Sequence, residues 1–455
     1  MFGKIFTLGV LYFVQGLPYG FQDKFIPMYL RAGGLSHTRL SLMKLLLLPW
    51  LCKAGFAPFI DLFWTKWLWL MFSLGALTFI SFIGMFINIE YFLLMSIWLL
   101  LLNLLSAFQD VSVDALALHI LQDCEMGHGN TAQVVGYKLG ALFGGGILFW
   151  VHYYHGWTYL CLSLSSLYIM SVVAFLPMFT NNWLKVNAIA NTATLSTINE
   201  KKIQEEMKDK DDISPRPFSI EESHENLVRR RHVKDDFNQF KEDIPPLTSP
   251  TSGRRYNVRE IPQIIFATKG TIPAIMFLLI YKLGERGSLS TFPIFLIDQG
   301  VSTKSIGLWS GICGQLCSLI GSICSGWFIS KKWNLYDFLH YALLARSGPI
   351  FIQFLIVSLW HSEISSIFQS ILFFFSALSL CTLEFTAGLV TTAIFTLMMS
   401  CSQKAVPSLQ ATHYSVLSSI EYLFLYFDSS TYHNIYGDIV LKLDGVALLH
   451  ERISC

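Results

Sequence analysis

Residues 91–121 read Tyr91-Phe-Leu-Leu-Met-Ser-Ile-Trp98-Leu-Leu-Leu-Leu-Asn103-Leu-Leu-Ser-Ala-Phe-Gln109-Asp110-Val-Ser-Val-Asp114-Ala-Leu-Ala-Leu-His-Ile-Leu121. A helix crosses the hydrocarbon core of a bilayer with roughly 20 apolar residues. This run is longer than one crossing, so its polar end projects beyond the core or the helix tilts. Asn103, Asp110 and Asp114 follow one another at spacings of seven and four, which puts all three on one helical face. A charged side chain at a helix centre costs roughly 2.5–3.5 kcal/mol on insertion scales, so retaining one points to a use. Two carboxylates one turn apart repel when both are charged, and one of them binds a proton more readily than the other. A proton-coupled carrier needs that property. The structural alternative is a membrane-edge pair contacting a neighbouring helix.

The rest of the chain fits a membrane protein. Of 455 residues, 53% are hydrophobic and 14% charged, with a mean hydropathy of +0.49. A soluble domain carries about 25% charged residues. The 37 Phe, 18 Tyr and 12 Trp suit lipid-facing surfaces with interfacial aromatic belts. A net charge of +1 offers nothing to nucleic acid. Nine cysteines are scattered, most of them inside apolar runs and without a CxxC pair, and read as buried small hydrophobes. No cofactor or metal ligand set is expected. The N-terminal apolar run reads as a retained first span, because no small-residue cleavage site follows it.

Eleven candidate spans lie near 5–30, 37–60, 67–88, 91–121, 131–153, 157–179, 263–297, 303–330, 335–360, 364–400 and 408–427. Between the sixth and the seventh, residues 181–260 hold 14 Lys+Arg, 14 Asp+Glu and five prolines. That composition cannot bury a core and reads as a disordered linker. The expected organisation is a six-helix bundle over 1–180, the linker over 181–260, a five-span bundle over 261–427 and an atypical polar tail over 428–455. Lys4, Lys66, the linker's basic residues, Lys331, Lys332 and Lys404 fall on one side, against Arg31, Arg39 and Lys304 on the other. The positive-inside rule then makes the N-terminus and linker cytoplasmic.

An internal repeat supports two related halves. Pro27-Met-Tyr-Leu30-x3-Gly34-Leu-Ser36-x3-Leu40 recurs as Pro293-Ile-Phe-Leu296-x3-Gly300-Val-Ser302-x3-Ile306, every pair offset by 266 residues. Two such halves enclose a site near the bilayer midplane.

Further polar residues inside the spans are candidates for lining that site. Gln15, Tyr19 and Asp23 recur every four residues in the first span, threaded through Gly16, Pro18 and Gly20. Tyr137 and Lys138 sit within Gly136-x3-Gly140-x3-Gly144, whose glycines let helices approach closely. Lys282, Glu285 and Arg286 lie in the seventh span, either as a local ion pair or as a positive element for an anionic substrate. His413 lies in the eleventh as a titratable or a packing histidine. The candidate proton-coupling residues are Asp110 and Asp114. The candidate substrate-binding residues are Gln15, Tyr19, Gln109, Tyr137, Lys138, Lys282, Glu285, Arg286 and His413. Asp61 reads as a loop anchor on the cytoplasmic side.

Four motifs carry a resemblance: Gly16-Leu17-Pro18, Lys53-x3-Ala57-Pro58-x2-Asp61, Gln109-Asp110-x3-Asp114-Ala115 and Gly136-Tyr137-Lys138-Leu139-Gly140. Together they resemble the AmpG permease and acetyl-coenzyme A transporter branch of the major facilitator superfamily. Leu11-Tyr12-x-Val14-Gln15, Tyr281-Lys282-Leu283-Gly284 and Gln410-Ala411-Thr412-His413-Tyr414-Ser415 carry a narrower match, to one orphan member of that branch. The resemblance implies an all-α polytopic membrane protein with the major facilitator fold, two pseudo-symmetric helical bundles and alternating access. About 11 spans are expected, because residues 428–455 are too polar for a twelfth and depart from the family pattern. The implied function is secondary active transport, proton-coupled, of a small polar or anionic solute, with acetyl-coenzyme A as leading candidate. The expected partners are that solute, protons and the lipid bilayer, with the protein a monomer. The alternatives are a non-transporting receptor or scaffold and an inactive truncated isoform. An enzyme is not expected: Asp110-x3-Asp114 has the diphosphate-binding spacing of intramembrane prenyltransferases, but the second acidic cluster they need is missing.

Overall fold

The computed structural model describes residues 2–22, 26, 45–88, 91–122, 125–180, 260–306, 309, 312–331, 333–360 and 366–423. Asp23, the first copy of the repeat, the linker up to residue 259 and the tail from 424 onward lie outside them. The chain divides into two compact units, Met1–Val172 with Tyr256–Cys455, and Val173–Arg255. Both halves of the repeat therefore belong to one unit, and the account below concerns that unit.

The described residues are helical, with no strand among them. In chain order the helices are α1 (Phe2–Gly20), α2 (Leu45–Leu51), α3 (Lys53–Leu62), α4 (Lys66–Phe86), α5 (Phe92–Ile120), α6 (Met126–His155) and α7 (Trp157–Thr180). After the linker come α8 (Ile261–Ala267), α9 (Thr271–Ile280), α10 (Leu283–Asp298), α11 (Gly314–Ser330), α12 (Leu335–Leu359), α13 (Ser366–Gln403) and α14 (residues 410–423). Six of them are long and apolar enough to cross a membrane, and the bent pairs α2–α3 and α8–α9 raise that number to eight among the described residues. Each of the eleven stretches read from the sequence contains described helix.

The seventh stretch differs from the expected single helix. It breaks into three pieces, and α8 meets α9 at 84°. Gly270 makes that corner with φ of +96°, a left-handed conformation that glycine adopts without a Cβ penalty. The short α8 turns across the end of the bundle, where Ile261 and Ile265 pack against Leu409 beneath Leu62.

Aromatic side chains mark the two ends of the helices. Trp150, Tyr153, Tyr154 and Tyr159 are exposed at one end, and Trp327, Trp333 and Tyr336 at the end nearer the linker. That is the placement of interfacial belts. On the linker side, Thr65 caps α4 by accepting the Leu68 amide at 3.3 Å, and Asn334 caps α12 through the Tyr336 amide.

The glycines of α6 act in packing. A Cβ on Gly140 would meet the Phe13 carbonyl of α1, one on Gly136 the Gly9 carbonyl and one on Gly144 the Leu17 carbonyl. Gly16 and Gly20 answer from α1 against Tyr137 and Ala141. In the second half, Gly388 of α13 meets the Ser318 carbonyl of α11, and Gly321 meets Phe385. Backbones this close gain dispersion contact without relying on water exclusion, the packing mode membrane helices use.

The two halves meet along two helix pairs. α6 crosses α11 where Gly127 lies against Ser330 and Gly326 against Thr131. α3 meets α14 where Ala57, Ile60 and Ala411 share a core with Val111 and Ala115 of α5. The fifth stretch thus pairs with the eighth and the second with the eleventh, as a two-fold relation between the halves requires.

Candidate functional site

Between these helices lies a cavity of about 230 Å³, walled by α1, α3, α5 and α6 on one side and by α10, α11, α13, α14 and Lys282 on the other. Its first wall is built around the acidic face of α5. Lys53 Nζ donates to Asp110 Oδ2 at 2.6 Å, with both side chains almost fully buried. Gln15 donates to the other oxygen of Asp110, and its own Oε1 has no hydrogen-bond partner among the described residues. One turn on, Asp114 Oδ1 accepts from the Tyr12 hydroxyl at 2.9 Å and from Gln133 Nε2 at 3.1 Å. Asp114 forms no ion pair among the described residues. Asn103, further along the same face, accepts from Trp50 Nε1 at 3.0 Å and donates to Gln22, away from the cavity. The helical spacing that aligned these residues also sends each to a different neighbour.

The opposite wall is a charged lattice. Lys282 pairs with Glu421, and Glu285 pairs with Arg346, whose second amine also donates to the Tyr281 carbonyl. The local Lys282–Glu285 pair considered from the sequence is not formed, because each residue reaches another helix instead. Arg346 of α12 is buried, and sequence reading passed over it. Its only signal was a cation inside an apolar run. Glu384 of α13 completes this side of the wall.

Lys138 of α6 crosses the cavity and donates to Ser318 Oγ of α11 at 2.6 Å. Tyr19 and Tyr137 line the cavity with their rings 5.3 Å apart. The Lys53 ammonium also lies 5.2 Å from the ring of Tyr422 on α14.

Two candidates stand off this wall. Gln109 is buried and turns its amide to the Leu11 carbonyl at 3.4 Å. His413 is wholly buried, its ring nitrogens 2.8 Å from the hydroxyls of Thr271 and Ser402. It joins α9, α13 and α14 and does not face the cavity. The side chain of Arg286 lies outside the described residues. Missed by the sequence reading, besides Arg346, were Tyr12, Gln133, Ser318 and Tyr422. Their types are ordinary in membrane helices, and only their convergence marks them.

On the linker side the halves are tied together. Asp61 Oδ2 accepts the Thr412 amide at 2.7 Å and its hydroxyl at 2.8 Å, at the start of α14. A carboxylate there also meets the positive end of the helix. Lys66 stands 3.8 Å from the same side chain. Gln403 donates to the Leu121 carbonyl at 3.4 Å, from α13 to the end of α5.

A family model described as "Acetyl-coenzyme A transporter 1" matches residues 83–234. A Rickettsia prowazekii protein named "Putative transporter AmpG 1" is 23% identical over 92% of this chain and 87% of its own length. An uncharacterised Haemophilus influenzae protein is 25% identical over 67% of this chain, which spans 61% of that relative's length. Among solved structures, the proton:xylose symporter XylE bound to 6-bromo-6-deoxy-D-glucose superposes with a TM-score of 0.61. The match covers 96% of this chain and 90% of that one at 13% identity, and so establishes the fold. The chain has the major facilitator fold, and by sequence it is similar to the AmpG and acetyl-coenzyme A transporter branch. It is a multi-pass integral membrane protein with the major facilitator fold. In transporter folds built from two related halves, the general place for a solute site is the interface between those halves.

Proposed function

We propose that this chain is a secondary active transporter that couples entry of protons to movement of a small polar or anionic solute by alternating access. The observation that carries the reading is Asp114, a cavity-wall carboxylate held by Tyr12 and Gln133 with no ion-pair partner among the described residues. Ionised carboxylates are expensive to bury unless a cation balances them, and a proton serves in place of a cation. Asp110 differs because Lys53 balances it. Asp114 is therefore the proton site, and Asp110 holds Lys53 and Gln15 in position beside it. Gln15, Tyr19, Tyr137 and Lys138 supply the solute's contacts on the first wall, and Lys282 and Glu285 shape the second.

Asp61 and Thr412 close the linker side, which positive-inside counting makes cytoplasmic, and their parting is one step of the alternation. The two halves, 1–180 and 261–427, rock as bodies about the cavity, with the protein acting as a monomer in the bilayer. Which solute moves is the finer question. The family model's description makes acetyl-coenzyme A the first candidate. A smaller solute with a single anionic group is favoured by the cavity itself. Its walls carry five carboxylates against three lysines, and about 230 Å³ is tight for a polyanion of that size. Pockets for drug-sized ligands run to roughly 300–1,000 Å³.

The test is uptake of labelled acetyl-coenzyme A into proteoliposomes with and without an imposed pH gradient. Gradient-driven uptake supports both coupling and substrate. Uptake indifferent to the gradient removes the coupling, and no uptake removes this candidate in favour of the smaller solute.

A further inference from the structure

Three lysines reach the cavity wall among the described residues, and they are not equivalent. Lys53 is 1% exposed and held by Asp110 at 2.6 Å, and Lys282 is buried and held by Glu421. Lys138 is the exception: it is half-buried, forms no ion pair among the described residues, and spends its bond on the neutral hydroxyl of Ser318.

An ammonium has three donors and no acceptor. Its bond to a serine hydroxyl is charged on one side only, whereas an anionic oxygen adds the attraction of opposite charges. An anion arriving at Lys138 therefore outcompetes Ser318. Ser318 cannot follow the ammonium, because its backbone is pinned against Gly388 of α13 and it is 2% exposed. The Lys138–Ser318 bond also joins the two halves, α6 to α11, beside the cavity. A ligand that takes over the ammonium removes a tie between them at the moment of binding.

We propose that Lys138 is the seat for one anionic group of the solute, a carboxylate or a phosphate, and that seating it releases Ser318 and so loosens the contact between the halves. The proposal rests on reading the cavity as the solute site. It adds which charge is recognised, by which atom, and how occupancy reaches the interface. The anion engages Lys138 alone, since the other two amines already have carboxylates.

Chemical footprinting of the purified full chain tests this without knowledge of the solute. Lysine acetylation by a small amine-reactive reagent is followed by mass spectrometry in potassium chloride, potassium acetate and potassium phosphate at equal ionic strength. Lys331 and Lys404, both exposed, serve as internal controls. The expected result is selective protection of Lys138 by acetate or phosphate, about fivefold at an anion concentration near four times its Kd. In Ser318→Ala the unliganded amine should react faster, and the half-protecting concentration should fall at least about tenfold, the worth of one hydrogen bond made by a charged group. Lys138 reacting in acetate and phosphate as it does in chloride overturns the seat. So does protection that Ser318→Ala leaves unchanged, because the release of Ser318 would then play no part. Protection at Lys138 alongside absent acetyl-coenzyme A uptake leaves the seat standing and removes that solute. Proton-driven uptake without protection removes the seat and keeps the carrier.

Discussion

Lys53 and Asp110 lie 57 residues apart in the chain and 2.6 Å apart in space, both buried. Removing one partner of such a pair leaves an uncompensated charge, at a cost of about 3–5 kcal/mol. Asp110→Asn should therefore express poorly and melt early in detergent, and Lys53→Met combined with Asp110→Asn should recover much of that loss. A double variant no more stable than the worse single one would argue that the pair is not what holds α3 to α5. Asp114→Asn should behave differently. It keeps a side chain that can bond Gln133, so thermal stability should stay close to that of the native protein. Uptake driven by a pH gradient should be lost while exchange at equal pH persists. A gradient response retained in Asp114→Asn would end the role given to that carboxylate. On the pH axis, the native carrier should run faster as the pH on the loading side falls, since the proton is a co-substrate, and Asp114→Asn should flatten that profile.

Among the elements, α1 and α6 are joined at the backbone. Gly140 has the Phe13 carbonyl where a side chain would sit, and Gly136 and Gly144 repeat the contact a turn away on each side. Gly140→Leu should force the helices apart and abolish monodisperse protein on size exclusion. Gly55→Leu, at a position with nothing within 4 Å of a Cβ among the described residues, should be tolerated. Equal behaviour of the two would refute the close-packing account. The glycine spacing in α6 was readable because period and residue size are both local properties. Its partner surface on α1 was visible only as Gly16, Pro18 and Gly20, small or helix-weakening residues threaded between polar ones. The carbonyls that fill the glycine notches come from another helix and leave no trace in composition. The same limit applied to the seventh stretch, where an apolar run of span length gave no sign of the corner at Gly270.

For the whole molecule, the proposed alternation requires the linker-side tie to form and part. Asp61 holds the backbone and hydroxyl of Thr412, and hydrogen bonds to a charged group contribute about 1.5–3 kcal/mol each. Asp61→Ala should shift the protein toward opening on that side. Spin labels at Phe63→Cys and Lys404→Cys, one on each half, should report a longer and broader distance distribution by double electron–electron resonance. An unchanged distribution would mean that the helix packing around Ala57, Ile60 and Ala411 closes that side without Asp61.

The sequence by itself determined the membrane class, the helical content and the acidic face of α5. These follow from hydropathy, from chain length against bilayer thickness and from helical period, all of which act within one segment. It also held the motifs that carry the family resemblance, and it marked Asp110, Asp114, Gln15, Tyr19, Tyr137 and Lys138, which the fold brings to one cavity. Only the tertiary structure decided which charges are balanced. Asp110 and Asp114 are alike in sequence, and they part company because Lys53 of α3 reaches one of them. Glu285 and Lys282 are three residues apart, yet each pairs on another helix, with Arg346 and Glu421. His413 and Gln109 were sound candidates by type, and packing turned them away from the cavity. Pairing depends on where helices distant in the chain come to rest, and electrostatic partners are chosen by distance in space rather than by separation in sequence.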